Sequence, residues 1–235
     1  MYYMDHHFLD TNVIIGYTVE WDDHNNRCEL YFSRTDSNNC SLFISSRVES
    51  EALSVVESCR RITLQAINSL WSEFQVGQIQ TFETDVMSFI YSKFSDKKRF
   101  DALKRYIQCR MNTIREMKIS NKSLSYILEI VRDDFEDPIQ FLNSLEQGSE
   151  INIFTDVKKG YRSIYQTKFY KLDDIMDNKT DRDIALDAYH LLQQKDFNDL
   201  VLASLDSHFV EENNKSNIEN CLNGICIFNL FDIET

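Results

Sequence analysis

The stretch FLDTNVIIGY, residues 8–17, joins two apolar residues, an aspartate, a Thr-Asn pair and a second apolar run. This pattern predicts a short buried strand that delivers Asp10 to its carboxyl end, followed by a helix that Thr11 and Asn12 can cap. In open α/β sheets, ligands bind at the carboxyl ends of the strands. Asp10 is therefore a candidate functional carboxylate, although an aspartate in front of a helix more often serves only as a cap.

The composition is that of a globular protein without a glycine-rich nucleotide-binding loop. Of the 235 residues, 43% are hydrophobic and 12% aromatic, which allows one large domain with a hydrophobic core. Neither a Walker A nor a GxGxxG motif is present. The six cysteines form no CxxC pair and indicate reduced thiols in a cytosolic protein. We find no signal peptide and no membrane-spanning stretch, and therefore predict a cytoplasmic protein without membrane association.

The charge is unevenly distributed along the chain. The formal net charge is -13, which on its face disfavours a nucleic-acid partner. Residues 93–122, however, contain ten Lys or Arg and three acids, a local charge of +7 that leaves -20 for the remainder. A charge run on a helix is most often a solvated face, but its contrast with the acidic remainder favours a basic surface for nucleic acid.

Alternating apolar segments and helical patterns indicate an α/β protein with a central parallel sheet. Short apolar runs at residues 41–45, 200–203 and 224–230 read as strands, and residues 151–157 are a fourth candidate. Apolar steps of three and four predict one long helix over residues 46–74, and helices from there to about residue 147 with a break at Pro138. We predict a single domain over 1–235, with a core of 1–75 and 150–235 and a helical insertion at 76–149.

Three further carboxylates occupy positions equivalent to that of Asp10, at a strand end or in the opening turns of the next helix. Glu51 lies one turn above Ser46 and Glu49, which form a predicted capping box. Asp181 shares the apolar face of its helix with Ile184. The opposite face carries Asp183, Asp187 and His190, for which solvent is the expected surrounding. Asp206 follows the strand that ends near Ser204, and the adjacent His208 reads as a structural loop residue.

These four positions converge in a doubly wound sheet. Four clustered carboxylates raise one another's pKa unless a cation neutralises them, and Mg²⁺ prefers carboxylate and phosphate oxygens. The pattern therefore favours metal-dependent hydrolysis of a phosphodiester bond.

The signatures LDTNVIIG, SSRVESEAL, DRDIALDA and SLDSHF, in this order, resemble those of the PIN-domain nucleases. The resemblance covers residues 1 to about 60 and about 175 to 231. It implies a three-layer α/β/α PIN-like fold, an acidic site for Mg²⁺ or Mn²⁺, and cleavage of RNA. It assigns Asp10, Glu51, Asp181 and Asp206 as metal-binding and catalytic residues, and Thr11, Asn12 and Ser204 as supporting polar groups.

We therefore predict a Mg²⁺- or Mn²⁺-dependent endoribonuclease that leaves 5′-phosphate and 3′-hydroxyl ends. The alternatives are a catalytically silent PIN-like module that binds RNA or protein, and a DNA- or structure-specific nuclease. An antitoxin-like or other protein partner and a homodimer stay open. The residues predicted to hold the RNA backbone are Lys97, Lys98, Arg99, Lys104, Arg105 and Arg115.

Overall fold

The sheet is formed by the short apolar runs that the sequence singles out. A computed structural model describes residues 5–73, 82–97, 99–119, 123–145, 151–158 and 160–233. The predicted Lys98 lies outside these ranges. The strands are β1 (His6–Leu9), β2 (Ser41–Ser45), β3 (Ile151–Phe154), β4 (Leu200–Ser204) and β5 (Ile225–Asn229).

All strand pairs in the sheet are parallel, and the strand order is β3-β2-β1-β4-β5. Every residue of β4 is buried, as expected for a parallel strand covered on both faces. The predicted strands at 41–45, 200–203 and 224–230, and the candidate at 151–157, are confirmed within two or three residues at their ends.

The helices account for most of the remaining described residues. They are α1 (Thr11–Thr18), α2 (Asn25–Ser37), α3 (Ser46–Glu73), α4 (Phe82–Phe94), α5 (Phe100–Cys109), α6 (Met111–Ile119), α7 (Leu124–Ser144), α8 (Tyr161–Ile164), α9 (Gln166–Ile175), α10 (Lys179–Lys195), α11 (Ser207–Val210) and α12 (Glu212–Cys221). A short 3-10 turn follows at Leu230–Asp232. Within the described ranges, no helix is both long and apolar enough to cross a membrane.

The direction of strand addition reverses between β1 and β4. The chain passes from β1 to β2 and β3 on one side, and then from β4 to β5 on the other. The general right-handedness of such crossovers predicts that the helices between β1 and β2 lie on the opposite face of the sheet from those between β3 and β5. Helices α1 and α10 both contact β4. The fold is thus α/β with a parallel sheet and is compatible with three layers. In sheets of this topology, ligands bind in the gap at which the strand order reverses, here between the ends of β1 and β4.

The chain divides into two compact units. Unit 1 comprises Met1–Thr18, Asp23–Ala52 and Leu142–Thr235, and it contains the sheet. Unit 2 comprises Val19–Asp22 and Leu53–Phe141. The division into a core and an insertion at residue 76 stays a prediction.

Unit 2 has an aromatic core of its own. The Trp21 ring makes edge contacts with the rings of Tyr106 and Phe135, at centroid distances of 5.1 and 4.7 Å. Around this core, the Tyr106 hydroxyl donates to Asp134 at 2.7 Å, and Arg110 donates to both oxygens of the same carboxylate at 2.9 and 2.8 Å. A two-point bond of this kind fixes the guanidinium as well as attracting it.

Two local predictions are wrong. Pro138 lies inside α7 and does not end the helix. An internal proline costs a helix about 3 kcal/mol, but the buried Phe135, Ile139 and Leu142 continue one apolar face across it. The cap of α3 also shifts by one residue: Ser46 is its first residue, and the hydroxyl of Ser45 accepts from Val48 N at 3.3 Å.

The solvent-facing side that the sequence predicts for α10 is buried. Asp187 is 0% exposed and His190 is 3% exposed. The cause is the segment of α8 and α9, whose pattern has no clean period and which covers this side of α10. The Tyr161 hydroxyl donates to Asp187 at 2.5 Å, and the Tyr165 hydroxyl lies 2.7 Å from His190 Nδ1.

Candidate metal-binding site

Asp10 and Asp206 lie at the carboxyl ends of the two strands between which the sheet reverses direction. Asp10 directly follows β1, and its backbone amide donates to the Ala203 carbonyl of β4 at 3.0 Å. Asp206 follows β4 by two residues. The predicted convergence of these acids therefore arises from the pairing of β1 with β4, which also brings in Ser204.

Thr11 connects Asp10 to Glu51. Its amide donates to Asp10 Oδ1 at 2.7 Å, and its hydroxyl donates to Glu51 Oε2 at 2.8 Å. Asp10 also caps α1, because its carbonyl accepts from Val13 N and Ile14 N at 3.1 and 3.3 Å. Thr11 is therefore the first residue of α1 and not its cap. Its hydroxyl donates to the Glu51 carboxylate, whereas the sequence predicts that Thr11 can cap the helix.

Ser204 and Asn12 connect Asp10 to Asp206. The Ser204 hydroxyl donates to Asp10 Oδ2 at 2.7 Å and accepts from the Asp206 amide at 2.9 Å. Asn12 donates its side-chain amide to Asp206 Oδ2 at 3.3 Å. Each of the three predicted supporting side chains thus donates a hydrogen bond to one of the four predicted acids.

His208 joins Asp181 to this group, a contact that the sequence interpretation missed. Its Nδ1 lies 2.8 Å from Asp181 Oδ2 and 3.2 Å from Asp206 Oδ1. Its backbone amide donates to Asp206 Oδ1 at 2.9 Å. Asp181, Asp206 and His208 can offer ligand atoms that all lie within 4.8 Å of one another. The signal in the sequence is the spacing Asp206-x-His208 after a strand, which puts both side chains on one turn.

The electrostatics show that the four acids share one environment. Burial raises the pKa of Asp10 to about 7, with the hydrogen bond from Ser204 opposing the rise and the charges of Asp181 and Asp206 adding to it. Burial also raises the pKa of Asp181, to which the charges of Asp206 and Glu51 contribute and which His208 opposes. The hydrogen bond to Asp181 raises the pKa of His208.

This donor set fits a hard divalent cation. Carboxylate oxygens are the ligands that Mg²⁺ and Mn²⁺ prefer. A cation would stabilise the ionised forms of Asp10 and Asp181, whose pKa values are raised by burial and further by the charges of neighbouring acids. Asp10 and Asp181 are buried, whereas Glu51 and Asp206 are partly accessible. The cluster therefore has a buried base and an open side at which water and a phosphate group can enter.

Arg47 links the helices that carry Glu51 and Asp181. It lies in the first turn of α3, one turn before Glu51, and its Nε donates to Asp187 Oδ2 of α10 at 3.1 Å. Its Nη1 lies 3.4 Å from Asp183 Oδ2 on the same helix. Burial raises the pKa of Asp187, while Tyr161, Arg47 and Ser45 oppose the rise. No sequence pattern predicts this contact, because the helical wheel of α10 predicts that Asp187 faces solvent.

The predicted RNA-binding residues that the structure describes lie in unit 2, and most have partners within it. The Lys97 ammonium lies 3.6 Å from Asp96, with both side chains exposed, and Arg105 lies 3.6 Å from Asp22. Lys104 and Arg115 lie over the rings of Tyr91 and Phe82, at 5.7 and 5.6 Å. Arg99 contributes to a polar groove that is described below.

Comparisons with protein-family models, with curated proteins and with solved structures find no match for this chain.

Proposed function

We propose that the chain is a PIN-like, Mg²⁺- or Mn²⁺-dependent endoribonuclease, and that Asp10, Glu51, Asp181 and Asp206 form its metal-binding site. The observation that carries the proposal is the continuous set of hydrogen bonds from Glu51 through Thr11, Asp10, Ser204, Asp206 and His208 to Asp181. All four acids thereby meet where an open α/β sheet binds its ligands.

The chain's own side chains would hold and orient the site. Asp10 lies at the buried base of the site and would bind the cation through one of its carboxylate oxygens. The two oxygens also accept hydrogen bonds, Oδ1 from Thr11 and Oδ2 from Ser204. Glu51 and Asp206, on the open side, would face the scissile phosphate and the attacking water. Thr11, Asn12 and Ser204 would keep the carboxylates in place through the hydrogen bonds that they donate to Glu51, Asp206 and Asp10. A bound divalent cation would supply charge neutralisation at the phosphate and activate water for in-line attack.

This reaction leaves a 5′-phosphate and a 3′-hydroxyl, because water attacks the phosphorus and the 3′ oxygen departs. The predicted basic residues of unit 2 would bind the RNA backbone through its phosphates, which supplies affinity without sequence readout. The proposal also includes a cytoplasmic location, and it leaves a protein partner open.

The test is a cleavage assay on total RNA in Mn²⁺, with the cut ends mapped by their chemistry. We expect 5′-phosphate ends with the unaltered chain and none with Asp10→Asn. Asp36→Asn, which changes an exposed aspartate of α2, is the matched control and should cleave normally. Cleavage by Asp10→Asn at the rate of the control would overturn the assignment. Cleavage of DNA in preference to RNA in a parallel reaction would keep the site and change the substrate.

A further inference from the structure

Unit 2 contains a polar groove that Arg99, one of the predicted RNA-binding residues, lines together with residues of α3 that the proposed function does not use. It has a volume of about 700 Å³ and lies along α3, next to the start of α5. Three of its lining residues are arginines, Arg60, Arg61 and Arg99, and among the others only Leu64 is apolar. The hydroxyls of Ser54 and Ser58 and the amide of Gln65 add further donors. A groove with this lining suits oxygen-rich anions better than apolar side chains.

Arg99 lies in the turn before α5, with its backbone in the left-handed region. Its φ is 73° and its ψ is 22°, in the left-handed region that non-glycine residues rarely adopt and that disfavours an L side chain. Its Nε is buried and has no hydrogen-bond partner among the described residues. Arg99 is also one of the residues that line the groove, to which it adds a positive charge.

The other two arginines are weakly committed within the protein. Arg60 is 4.0 Å from Glu136, whose side chain is half exposed, and this distance is at the limit of an ion pair. Arg61 is exposed on α3 and no pairing of it is seen in the described parts of the chain. One acid, Glu57, also lines the groove and is exposed. The local balance is thus positive in a chain whose net charge is -13.

We propose that this groove binds the phosphodiester backbone of single-stranded RNA, with Arg60, Arg61 and Arg99 contacting phosphates. The choice of RNA rests on the proposed function, and three arginines against one glutamate make the lining of the groove positive in a chain whose net charge is -13. The groove offers no aromatic or large apolar anchor of the kind that protein partners use. Guanidinium contacts to phosphates position a strand without reading its sequence.

The test measures binding apart from cleavage. The Asp10→Asn variant of the chain is titrated in EDTA into a fluorescein-labelled 20-nucleotide oligouridine, and binding is followed by fluorescence anisotropy over a range of salt concentrations. We expect Arg60→Gln/Arg61→Gln in this background to weaken binding about tenfold at low salt. Loss of two phosphate contacts should reduce the slope of log K against log salt by roughly 1.4. The matched control is Lys171→Gln/Lys195→Gln, which removes the same charge from exposed sites of unit 1.

A second variant separates ligand binding from folding. Arg99→Gly relieves the left-handed backbone and removes the guanidinium, so we expect weaker RNA binding with an unchanged or raised melting temperature. Equal affinities of the groove variants and the lysine control would overturn the proposal. So would equally strong competition by a poly-glutamate peptide, which would mark the groove as a site for acidic protein. The binding assay needs neither metal nor Asp10. RNA binding without cleavage would support the groove and contradict the proposed reaction, whereas cleavage that does not depend on the groove arginines would do the opposite.

Discussion

Arg47 Nε donates a hydrogen bond to Asp187 Oδ2 at 3.1 Å, and this contact joins α3 near Glu51 to α10 near Asp181. Asp187 is fully buried, whereas the Arg47 side chain is 27% exposed. The bond therefore neutralises a buried charge and also sets the spacing of two acids that lie on different helices.

Arg47→Ala should both destabilise the protein and weaken metal binding. Breaking a buried ion pair on one side costs about 3 to 5 kcal/mol, and the partial exposure of Arg47 lowers our expectation to about 2 to 3 kcal/mol in urea unfolding. We also expect weaker Mn²⁺ binding, because the contact holds the helices that carry Glu51 and Asp181 against each other. The double variant Arg47→Ala/Asp187→Asn leaves no unpaired buried charge, so it should recover part of the free energy of unfolding that Arg47→Ala loses.

Arg132→Ala, on an exposed position of α7, provides the control for loss of an arginine. If Arg47→Ala unfolded at the same urea concentration as Arg132→Ala and bound Mn²⁺ equally well, Arg47 would have neither role.

The raised pKa of Asp10 predicts that the metal-free protein loses stability as pH rises. The folded state holds the Asp10 proton up to a pKa of about 7, whereas the unfolded chain releases it near 3.8. Between these values the folded state binds more protons, so the free energy of unfolding falls as pH rises from about 4 to about 7. Three pKa units correspond to about 4 kcal/mol, an upper bound for this one group.

Asp10→Asn removes this titration. In EDTA the variant should therefore gain stability relative to the unaltered protein as pH rises, and by pH 8 it should be the more stable of the two. Melting curves at half-unit steps from pH 4.5 to 8 give the comparison. Parallel curves for the two proteins would show that Asp10 is ionised in the folded state throughout.

Ser204→Ala tests the hydrogen bond that opposes the rise in the Asp10 pKa. The Ser204 hydroxyl donates to Asp10 Oδ2 at 2.7 Å and favours the ionised carboxylate. Without it the Asp10 pKa should rise further, and the variant should lose about 1 to 2 kcal/mol at pH 8 but less at pH 5. Carboxyl carbon chemical shifts measured across pH report the titration directly. Ser50→Ala, at an exposed position of α3, should leave it unchanged.

The sequence predicted the part of the site that depends on local pattern and on strand order. The stretch at residues 8–17 becomes β1 and α1, and Asp10 lies between them. Their place at strand ends or helix starts singles out Glu51, Asp181 and Asp206, and hydrogen bonds through Thr11, Ser204 and His208 connect them to Asp10. Parallel strands bring their carboxyl ends to one edge whatever the intervening chain does. That these acids bind a metal stays a prediction.

The contacts that the sequence could not predict come from segments without a clear period. Tyr161 and Tyr165 lie in the stretch whose structure the pattern left open, and their packing buries Asp187 and His190. The role of Arg47 follows from that burial, because an ion pair between an arginine and an exposed acid contributes little to the free energy of unfolding. At Pro138 the local pattern predicts a break that is absent from α7, because tertiary packing of this helix outweighs the helix-breaking preference of proline.

The central claim is that Asp10, Glu51, Asp181 and Asp206 form one divalent-cation site, and calorimetric titration with Mn²⁺ at pH 7.5 tests it most directly. We expect the unaltered chain and Asp36→Asn to bind Mn²⁺. Asp10→Asn, Glu51→Gln, Asp181→Asn and Asp206→Asn should each bind at least tenfold more weakly while keeping the same far-ultraviolet circular dichroism. Binding of Mn²⁺ by Asp10→Asn with the affinity of Asp36→Asn, or no binding by the unaltered chain at millimolar Mn²⁺, would contradict the claim.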